Sequence, residues 1–235
     1  MSQEFVAVIE SPLFGVLLTV GVFFLSLEIN KFCNGTPLLH PVMLSMAIII
    51  PLLLWTGIPY ETYFKGASII HFLLGPATVA LAVPLFENFA KVRQVIIPLL
   101  VACIIGSTIA AASAALMVWL LGGDVKTILS IAPKSVTTPI AMGISEQIGG
   151  IQSLTAGIVL ITGTIGCIVS PVIFKVFKIQ DDGAKGFALG VSSHGFGTAQ
   201  ALQISAVAGA FAGLGLGVTG VLTAFGLPLI LSFIS

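Results

Sequence analysis

Long apolar runs divide this chain of 235 residues and limit what it can fold into. A helix needs about twenty residues to cross the hydrocarbon core of a bilayer, and six runs approach or exceed that length. Hydrophobic residues make up 57% of the chain and charged residues 8%, whereas soluble domains carry roughly a quarter charged residues. The chain is therefore predicted to be an all-α polytopic protein of the lipid bilayer. The predicted spans are residues 12–27, 37–55, 68–86, 95–121, 154–174 and 206–233.

Two further apolar segments, residues 127–146 and 186–204, are interrupted by polar residues and are predicted to be broken or re-entrant helices. The first leads into the stretch APKSVTTPIAMGISEQ, residues 132–147, in which Pro133 and Pro139 each remove a backbone donor and break a helix. Freed backbone groups at membrane depth survive only against protein or a watery cavity. This stretch is therefore the predicted functional site.

Four polar residues in the first stretch are candidates for substrate binding: Lys134, Ser135, Thr137 and Thr138. Lys134 would be a cation at membrane depth, beside hydroxyl groups and the free amides of a helix that restarts near Pro139. Helix N-termini attract anions, so a small organic carboxylate is the natural ligand. The alternative is a structural lysine that reaches the membrane interface or pairs with Glu146.

The second stretch, GVSSHGFGTAQALQ at residues 190–203, collects polar side chains around His194. Gly195 and Gly197 permit positive φ, which makes a helix break plausible here. The candidate binding residues are Ser192, Ser193, His194 and Thr198, and a histidine that titrates near neutral pH would suit proton coupling. The alternative is that these small residues only allow close helix packing.

Some residues recur at a spacing of 57, which suggests internal repeats. Pro76 matches Pro133, and Gly75-Pro76 is an expected third interruption. Chance matches in glycine-rich membrane sequence remain the alternative. A single integral membrane domain over residues 1–235 is predicted, with N-terminal spans in residues 1–66 and a repeat-built core in residues 67–235. A later, fainter copy matches Thr162, Gly163 and Pro171 with Thr219, Gly220 and Pro228.

Basic residues follow the first, third and fifth predicted spans. Cytoplasmic loops are enriched in Lys and Arg, so these loops are predicted to face the cytoplasm. That topology requires residues 127–146 to enter the membrane and return to the same side. The basic residues concerned are Lys31, Lys91, Arg93, Lys175, Lys178 and Lys185.

Several function classes find no support in the sequence. Nine basic and nine acidic residues balance, so there is no basic surface for nucleic acid. Common enzyme signatures, metal-ligand spacing and cofactor motifs are missing, which predicts a non-enzyme without catalytic residues, metal or cofactor. Ser193 and His194 are adjacent, and adjacent helical residues point apart, so they do not read as a catalytic dyad. An intramembrane hydrolase remains a minor alternative.

The segments APKSVTTPIAMGISEQIGG and GVSSHGFGTAQAL resemble the most recognisable segments of the LrgB/CidB family of bacterial membrane proteins, which plants share as a plastid glycolate/glycerate translocator. The similarity covers nearly the whole chain. The first segment shows no departure from the family pattern. In the second, Gln200 stands where a basic residue is expected, and residues 192–196 vary mildly.

The resemblance implies two functions. One is transport of small monocarboxylates such as pyruvate, glycolate or glycerate, which the polar breaks favour because they form a solute site. The other is an antiholin-like modulator of murein hydrolase export and autolysis, acting with a small LrgA/CidA-type membrane partner. Either function places the chain in a bacterial inner or cytoplasmic membrane. A homo-oligomer is a further expectation by analogy with repeat-built transporters.

Overall fold

The computed structural model describes residues 11–33, 35–36, 39–80 and 82–233, and these residues form helices joined by short connections. The chain divides into two compact units, Met1–Ala80 and Leu81–Ser235, called here unit 1 and unit 2. Unit 1 contains α1 (Pro12–Phe32), α2 (Pro41–Thr56) and α3 (Tyr60–Ala80). Unit 2 contains α4 (Ala82–Glu87), α5 (Phe89–Gln94), α6 (Ile96–Leu120), α7 (Val125–Ile131), α8 (Thr138–Ile148), α9 (Gln152–Val176), α10 (Asp182–Ile204) and α11 (Ala206–Ser232).

Four helices of the described residues, α1, α6, α9 and α11, are long and apolar enough to cross a membrane, and α2 is a shorter apolar helix. The predicted all-α membrane fold is confirmed. The expected span at residues 68–86 differs, because α3 begins earlier and includes Glu61 and Lys65, which lower its mean hydropathy. Helix α3 also continues through Pro76, so the interruption expected there is absent.

Unit 1 is held together by close contacts of α1 with its two neighbours. Gly15 lies so near the backbone of Tyr63 and Gly66 that a Cβ at that position would collide with α3. The Thr19 and Tyr63 hydroxyl oxygens are 2.6 Å apart. Small residues and hydroxyl groups at such crossings are typical of helix packing in membranes.

Residues 125–148 of unit 2, called here hairpin 1, double back on themselves. A continuous helix rises 1.5 Å per residue and would separate Ser130 from Ile151 by roughly 30 Å. Instead, Ile151 N donates to Ser130 Oγ at 2.7 Å. The turn between the two arms lies at residues 132–137, the first tip, where helix geometry is lost between α7 and α8. Both ends of hairpin 1 therefore lie at the same end of unit 2.

Helix α10, called here hairpin 2, doubles back in the same way. Its first residue, Asp182, lies beside the hydroxyl of Ser205, which follows its last residue. A continuous helix would hold these two residues about 35 Å apart. Gly197 also lies directly against the carbonyl of Leu189, eight residues earlier. The turn falls at His194, the second tip, where φ is 41° and ψ is −125°.

Helix α9 runs alongside both hairpins and shows that they enter from opposite ends of unit 2. Thr155, near its start, contacts the arms of hairpin 1. Cys167, in its second half, contacts hairpin 2 through Gln200. Because α9 has 25 residues and a length of about 37 Å, the open ends of the two hairpins lie far apart while their tips approach each other.

Hairpin 1 with α9, and hairpin 2 with α11, share features at a spacing of 57 residues, the interval at which internal repeats are predicted. Asp124 caps α7 by accepting from Thr127 N at 2.9 Å, and Asp181, its counterpart at that spacing, caps α10 by accepting from Ala184 N at 2.7 Å. Pro171 in α9 and Pro228 in α11 are separated by the same interval. Each repeat is one hairpin plus one long helix. A hairpin returns the chain to the end of unit 2 where it began, and the long helix then carries the chain across to the other end. The second copy therefore begins at the opposite end and is inverted relative to the first.

Candidate functional site: the meeting of two hairpin tips

The first tip buries apolar atoms and leaves its cation partly accessible. Pro133 and Val136 are fully buried, whereas Lys134 is half-buried. The ammonium nitrogen of Lys134 lies 3.5 Å from Ser135 Oγ, and among the described residues no ion pair involves this lysine. Glu146 is exposed, so its predicted pairing with Lys134 is not formed. A cation without a carboxylate partner in the protein can pair with the carboxylate of a ligand.

The backbone groups that the first tip frees find partners within the hairpin and α9. In a helix, Lys134 N would donate to Ser130 O, but it donates to Ile131 O at 3.1 Å instead. Thr155 Oγ1 then donates to the free Ser130 carbonyl at 2.9 Å. The same hydroxyl lies 2.8 Å from Ser145 Oγ, so one buried cluster ties both arms of hairpin 1 to α9.

In the second tip, the residue with the strained backbone conformation is a histidine. His194 has positive φ, whereas Gly195 and Gly197, the predicted break residues, do not. Such a conformation is uncommon for a residue with a side chain and persists only where the surroundings fix it. The His194 ring is 3% exposed, and its Nε2 lies 3.1 Å from Val159 O. The Thr198 hydroxyl donates to His194 O at 2.9 Å.

The two tips meet at the same turn of α9. Val136 from the first tip packs in a buried cluster with Val159, and the carbonyl of Val159 holds the ring of His194. Lys134 stands two residues before Val136 in the same tip, so the cation of the first tip belongs to this meeting point. The breaks predicted from sequence thus converge on one place in unit 2.

The remaining predicted residues divide between accessible and internal positions. Thr137 and Thr138 are half-buried at the start of α8, and the Thr137 side chain does not cap that helix. Pro139 lies in the first turn of α8 and so begins a helix. Ser192 is exposed, and its hydroxyl lies 3.1 Å from that of the buried Ser193.

Two glycines of α9 receive the second tip. A Cβ on Gly163 would lie 2.8 Å from His194 Cε1, and one on Gly166 would overlap Ser193 Oγ. Only glycine therefore lets the tip reach the surface of α9. Sequence reasoning missed this role, although the three-residue spacing of two glycines in an apolar helix is a usable signal.

Gln200, noted as a departure from the family pattern, has a structural role. Pro171 cannot donate to Cys167 O, which is one helical turn before it. Gln200 Nε2 donates to that carbonyl at 3.2 Å. Gln200 Oε1 is buried and has no hydrogen-bond partner among the described residues. A neutral amide supplies this bond, so a basic side chain is not needed for it.

The acidic groups of the two hairpins and their caps lie at the open ends of the hairpins, away from the tips. Hydrogen bonds from Thr127 hold the pKa of Asp124 below its ordinary value. At the other end, the hydroxyl of Ser205, followed by Lys185, lowers the pKa of Asp182. Both carboxylates therefore stay charged near neutral pH and cap or brace helix ends.

Two apolar cavities lie beside hairpin 1. One of about 470 Å³ lies between its open end and the end of α11, and includes Gln147 and Pro228. The other, of about 430 Å³, lies between α6, α7 and α11, and includes Ser107, Ala132 and Thr223. Neither is lined by Lys134 or His194, so the predicted polar site and these cavities are separate features.

These features define a class: an all-α membrane protein in which two inverted hairpins meet beside a spanning helix. The model of the LrgB-like family matches residues 19–233, and the chain belongs to that family, which confirms the resemblance in its sequence. No solved structure matches the chain significantly.

Three relatives illustrate the range of names in the family. The Bacillus subtilis protein YwbG, described as uncharacterised, is 36% identical over 82% of this chain and 86% of its own length. An antiholin-like protein LrgB of Bacillus mycoides is 30% identical over 95% of this chain and 97% of its own. A holin-like protein CidB of Staphylococcus epidermidis is 29% identical over 92% and 94%, respectively.

The hydroxyl cluster of hairpin 1 yields a stability prediction. Thr155→Val keeps the side-chain shape but leaves the Ser130 carbonyl and the Ser145 hydroxyl without this partner. Unpaired buried polar groups cost about 1–3 kcal/mol each, which corresponds to a melting temperature roughly 5 °C lower. Thermal unfolding in detergent, followed by a dye that reacts with the buried thiols of Cys103 and Cys167, measures the change.

Thr162→Val is the matched control, because Thr162 is a half-buried threonine of the same helix outside the cluster. We expect its melting temperature to stay near that of the wild type. Equal melting temperatures for the two variants would show that the cluster does not stabilise hairpin 1.

Proposed function

We propose that this protein is a secondary transporter of small monocarboxylates of the pyruvate, glycolate or glycerate type. The observation that carries the proposal is the approach of two inverted hairpins whose polar tips share one turn of α9. Broken helices in corresponding positions of inverted repeats are the typical setting of a transporter binding site. Alternating access follows when each hairpin in turn opens towards its own end of the molecule.

The side chains at the tips suit a small anion. Lys134 would neutralise the carboxylate, and Ser135, Thr137 and Thr138 would orient it beside the start of α8. Ser192, Ser193, His194 and Thr198 would close the opposite side. Among the described residues no acidic side chain pairs with Lys134, so an incoming carboxylate does not compete with an internal one.

Uptake into proteoliposomes tests this function directly. Purified protein is reconstituted, and entry of labelled pyruvate, glycolate and glycerate is compared with entry into protein-free vesicles. We expect saturable uptake of at least one of them, inhibited by the unlabelled acid and unaffected by a neutral analogue such as glycerol. Vesicles that take up none of the three acids above the protein-free level would contradict the proposal.

A second function is favoured by the names of two relatives, the holin-like protein CidB and the antiholin-like protein LrgB. On this proposal the protein modulates murein hydrolase export and autolysis together with an LrgA/CidA-type membrane partner. Dye release or single-channel currents from vesicles containing both proteins would support it. Saturable uptake without dye release, by this protein alone, would favour the transporter.

The distribution of charge suggests an orientation in a bacterial cytoplasmic membrane. Val92 packs with Phe187 and Phe211, which brings α5 to the open end of hairpin 2. Cytoplasmic ends are enriched in Lys and Arg, so we propose that this end faces the cytoplasm. The basic residues gathered there are Lys91, Arg93, Lys175, Lys178 and Lys185.

A further inference from the structure

We propose that His194 couples transport to protons, so that each carboxylate moves together with one proton carried on its Nδ1 atom. This inference rests on the proposed transport function and adds its driving force. It starts from the hydrogen bond of the ring. A carbonyl oxygen can only accept, so Nε2, 3.1 Å from Val159 O, carries a hydrogen and acts as the donor. Nδ1 is then the atom at which the ring gains or loses a proton.

The bond to Val159 also fixes where this proton is held. The ring is confined by Gly163 on one side and packs edge-on against Phe196, with ring centroids 5.8 Å apart. Nε2 therefore keeps its partner in both protonation states, and the ring need not rotate to take up a proton. A fixed orientation of this kind is what a proton carrier requires.

Charges around His194 link its proton to the anion. Lys134 is the charged side chain of the first tip, two residues from Val136, and Val136 packs with the Val159 that holds the ring. A carboxylate bound by Lys134 places a negative charge beside the imidazole, so the anion and the proton on Nδ1 stabilise each other. By linkage, each raises the affinity for the other to the same extent. The proton comes from water on the side where the substrate enters and returns to water on the other side.

The other ionisable groups of the surrounding described helices do not take the place of the substrate carboxylate beside a protonated His194. Helix α11 contains none, and the acidic residues of α8 and α10 lie at the open ends of the hairpins. No carboxylate of the described chain therefore neutralises a protonated His194, and a bound substrate supplies the missing charge. The ionisable residues on the packed elements are Cys103 on α6, Lys126 on α7, Glu146 on α8, Cys167 and Lys175 on α9, and Asp182 and Lys185 on α10, with Asp181 at its cap.

The test compares two kinds of transport by wild type and His194→Gln. The introduced glutamine amide can still donate to Val159 O but cannot take up a proton. With the vesicle interior one pH unit more alkaline and the membrane potential clamped at zero, wild type should raise the internal carboxylate concentration to about ten times the external one, at a rate well above that of protein-free vesicles. His194→Gln should lose this accumulation, and the exchange of labelled for unlabelled substrate that it retains should no longer vary with pH. A melting temperature near that of the wild type shows that the variant is folded. His71→Gln in α3, the matched control, should behave as wild type.

Three outcomes would overturn the proposal. Wild-type uptake that ignores the pH gradient would remove proton coupling but leave the transporter intact. Accumulation by His194→Gln equal to that of wild type would assign the proton to another group. Exchange by His194→Gln that keeps the pH dependence of the wild type would likewise show that another group carries the proton. Absence of any wild-type uptake would instead remove the proposed function itself.

Discussion

Replacement of Lys134 by methionine is expected to remove most of the transport activity. Methionine has a similar length but no charge, so a carboxylate at the first tip would lose its cation. Hydrogen bonds to charged groups contribute about 1.5–3 kcal/mol, and the apparent Michaelis constant for uptake should rise at least about tenfold. The initial rate of labelled carboxylate uptake at several substrate concentrations measures this effect.

Lys126→Met provides the matched control, because Lys126 belongs to the same hairpin but is exposed near its open end. We expect wild-type uptake from this variant. The fold of Lys134→Met should be intact, since among the described residues its ammonium makes no ion pair that the substitution breaks. If both variants took up substrate with the kinetics of the wild type, Lys134 would have no part in binding.

Gly186→Ala is expected to have the largest effect on stability. A Cβ at this position would overlap the carbonyl and Cα of Ala208, both backbone atoms of α11 that cannot turn aside. Hairpin 2 and α11 must then separate along a contact that Gly190 and Ala212 continue one turn further on. Overpacking and lost contacts together cost about 3 kcal/mol or more, so the melting temperature should fall by roughly 10 °C.

Gly217→Ala is the control for the helix propensity of alanine. Gly217 lies in α11, is exposed, and has no atom within 4 Å of the position of a Cβ. Alanine in a helix is favoured over glycine by about 1 kcal/mol, so this variant should melt at or slightly above the wild-type temperature. The contrast between the two variants is the test, and similar melting temperatures would show that the contact of hairpin 2 with α11 does not depend on close backbone approach.

The sequence predicts the breaks well because proline and clustered polar residues act locally. Pro133 ends a helix wherever it stands, and the need to satisfy Ser130 O follows from it. The partner of that carbonyl was not predictable, because Thr155 is 25 residues away and meets it only after the hairpin has closed. The exact turn of hairpin 2 was missed by one residue. Glycine permits positive φ, but contacts with Val159 and Gly163 place that conformation on His194.

The spacing of 57 residues predicts repeats from the sequence, but it does not predict how the two copies are oriented. A constant spacing predicts a duplication without saying whether the copies are parallel or inverted. The relation depends on whether each broken helix crosses the membrane or returns to the side where it entered. Contacts between distant residues decide this, such as the hydrogen bond from Ile151 N to Ser130 Oγ. The early match at Pro76 did not extend to structure, because a continuous helix tolerates a proline where neighbouring groups meet the freed carbonyl.

The inverted arrangement of the hairpins bears on the direction of flux. A rotation that turns unit 2 upside down places hairpin 1 where hairpin 2 was. The structure therefore does not fix either end as the side where substrate enters. For the proposed transporter, net import or export would be decided by the gradients across the membrane. The two copies differ in the charge of their tips. The counterpart of Lys134 in the second repeat is Val191, so the fixed positive charge always belongs to hairpin 1.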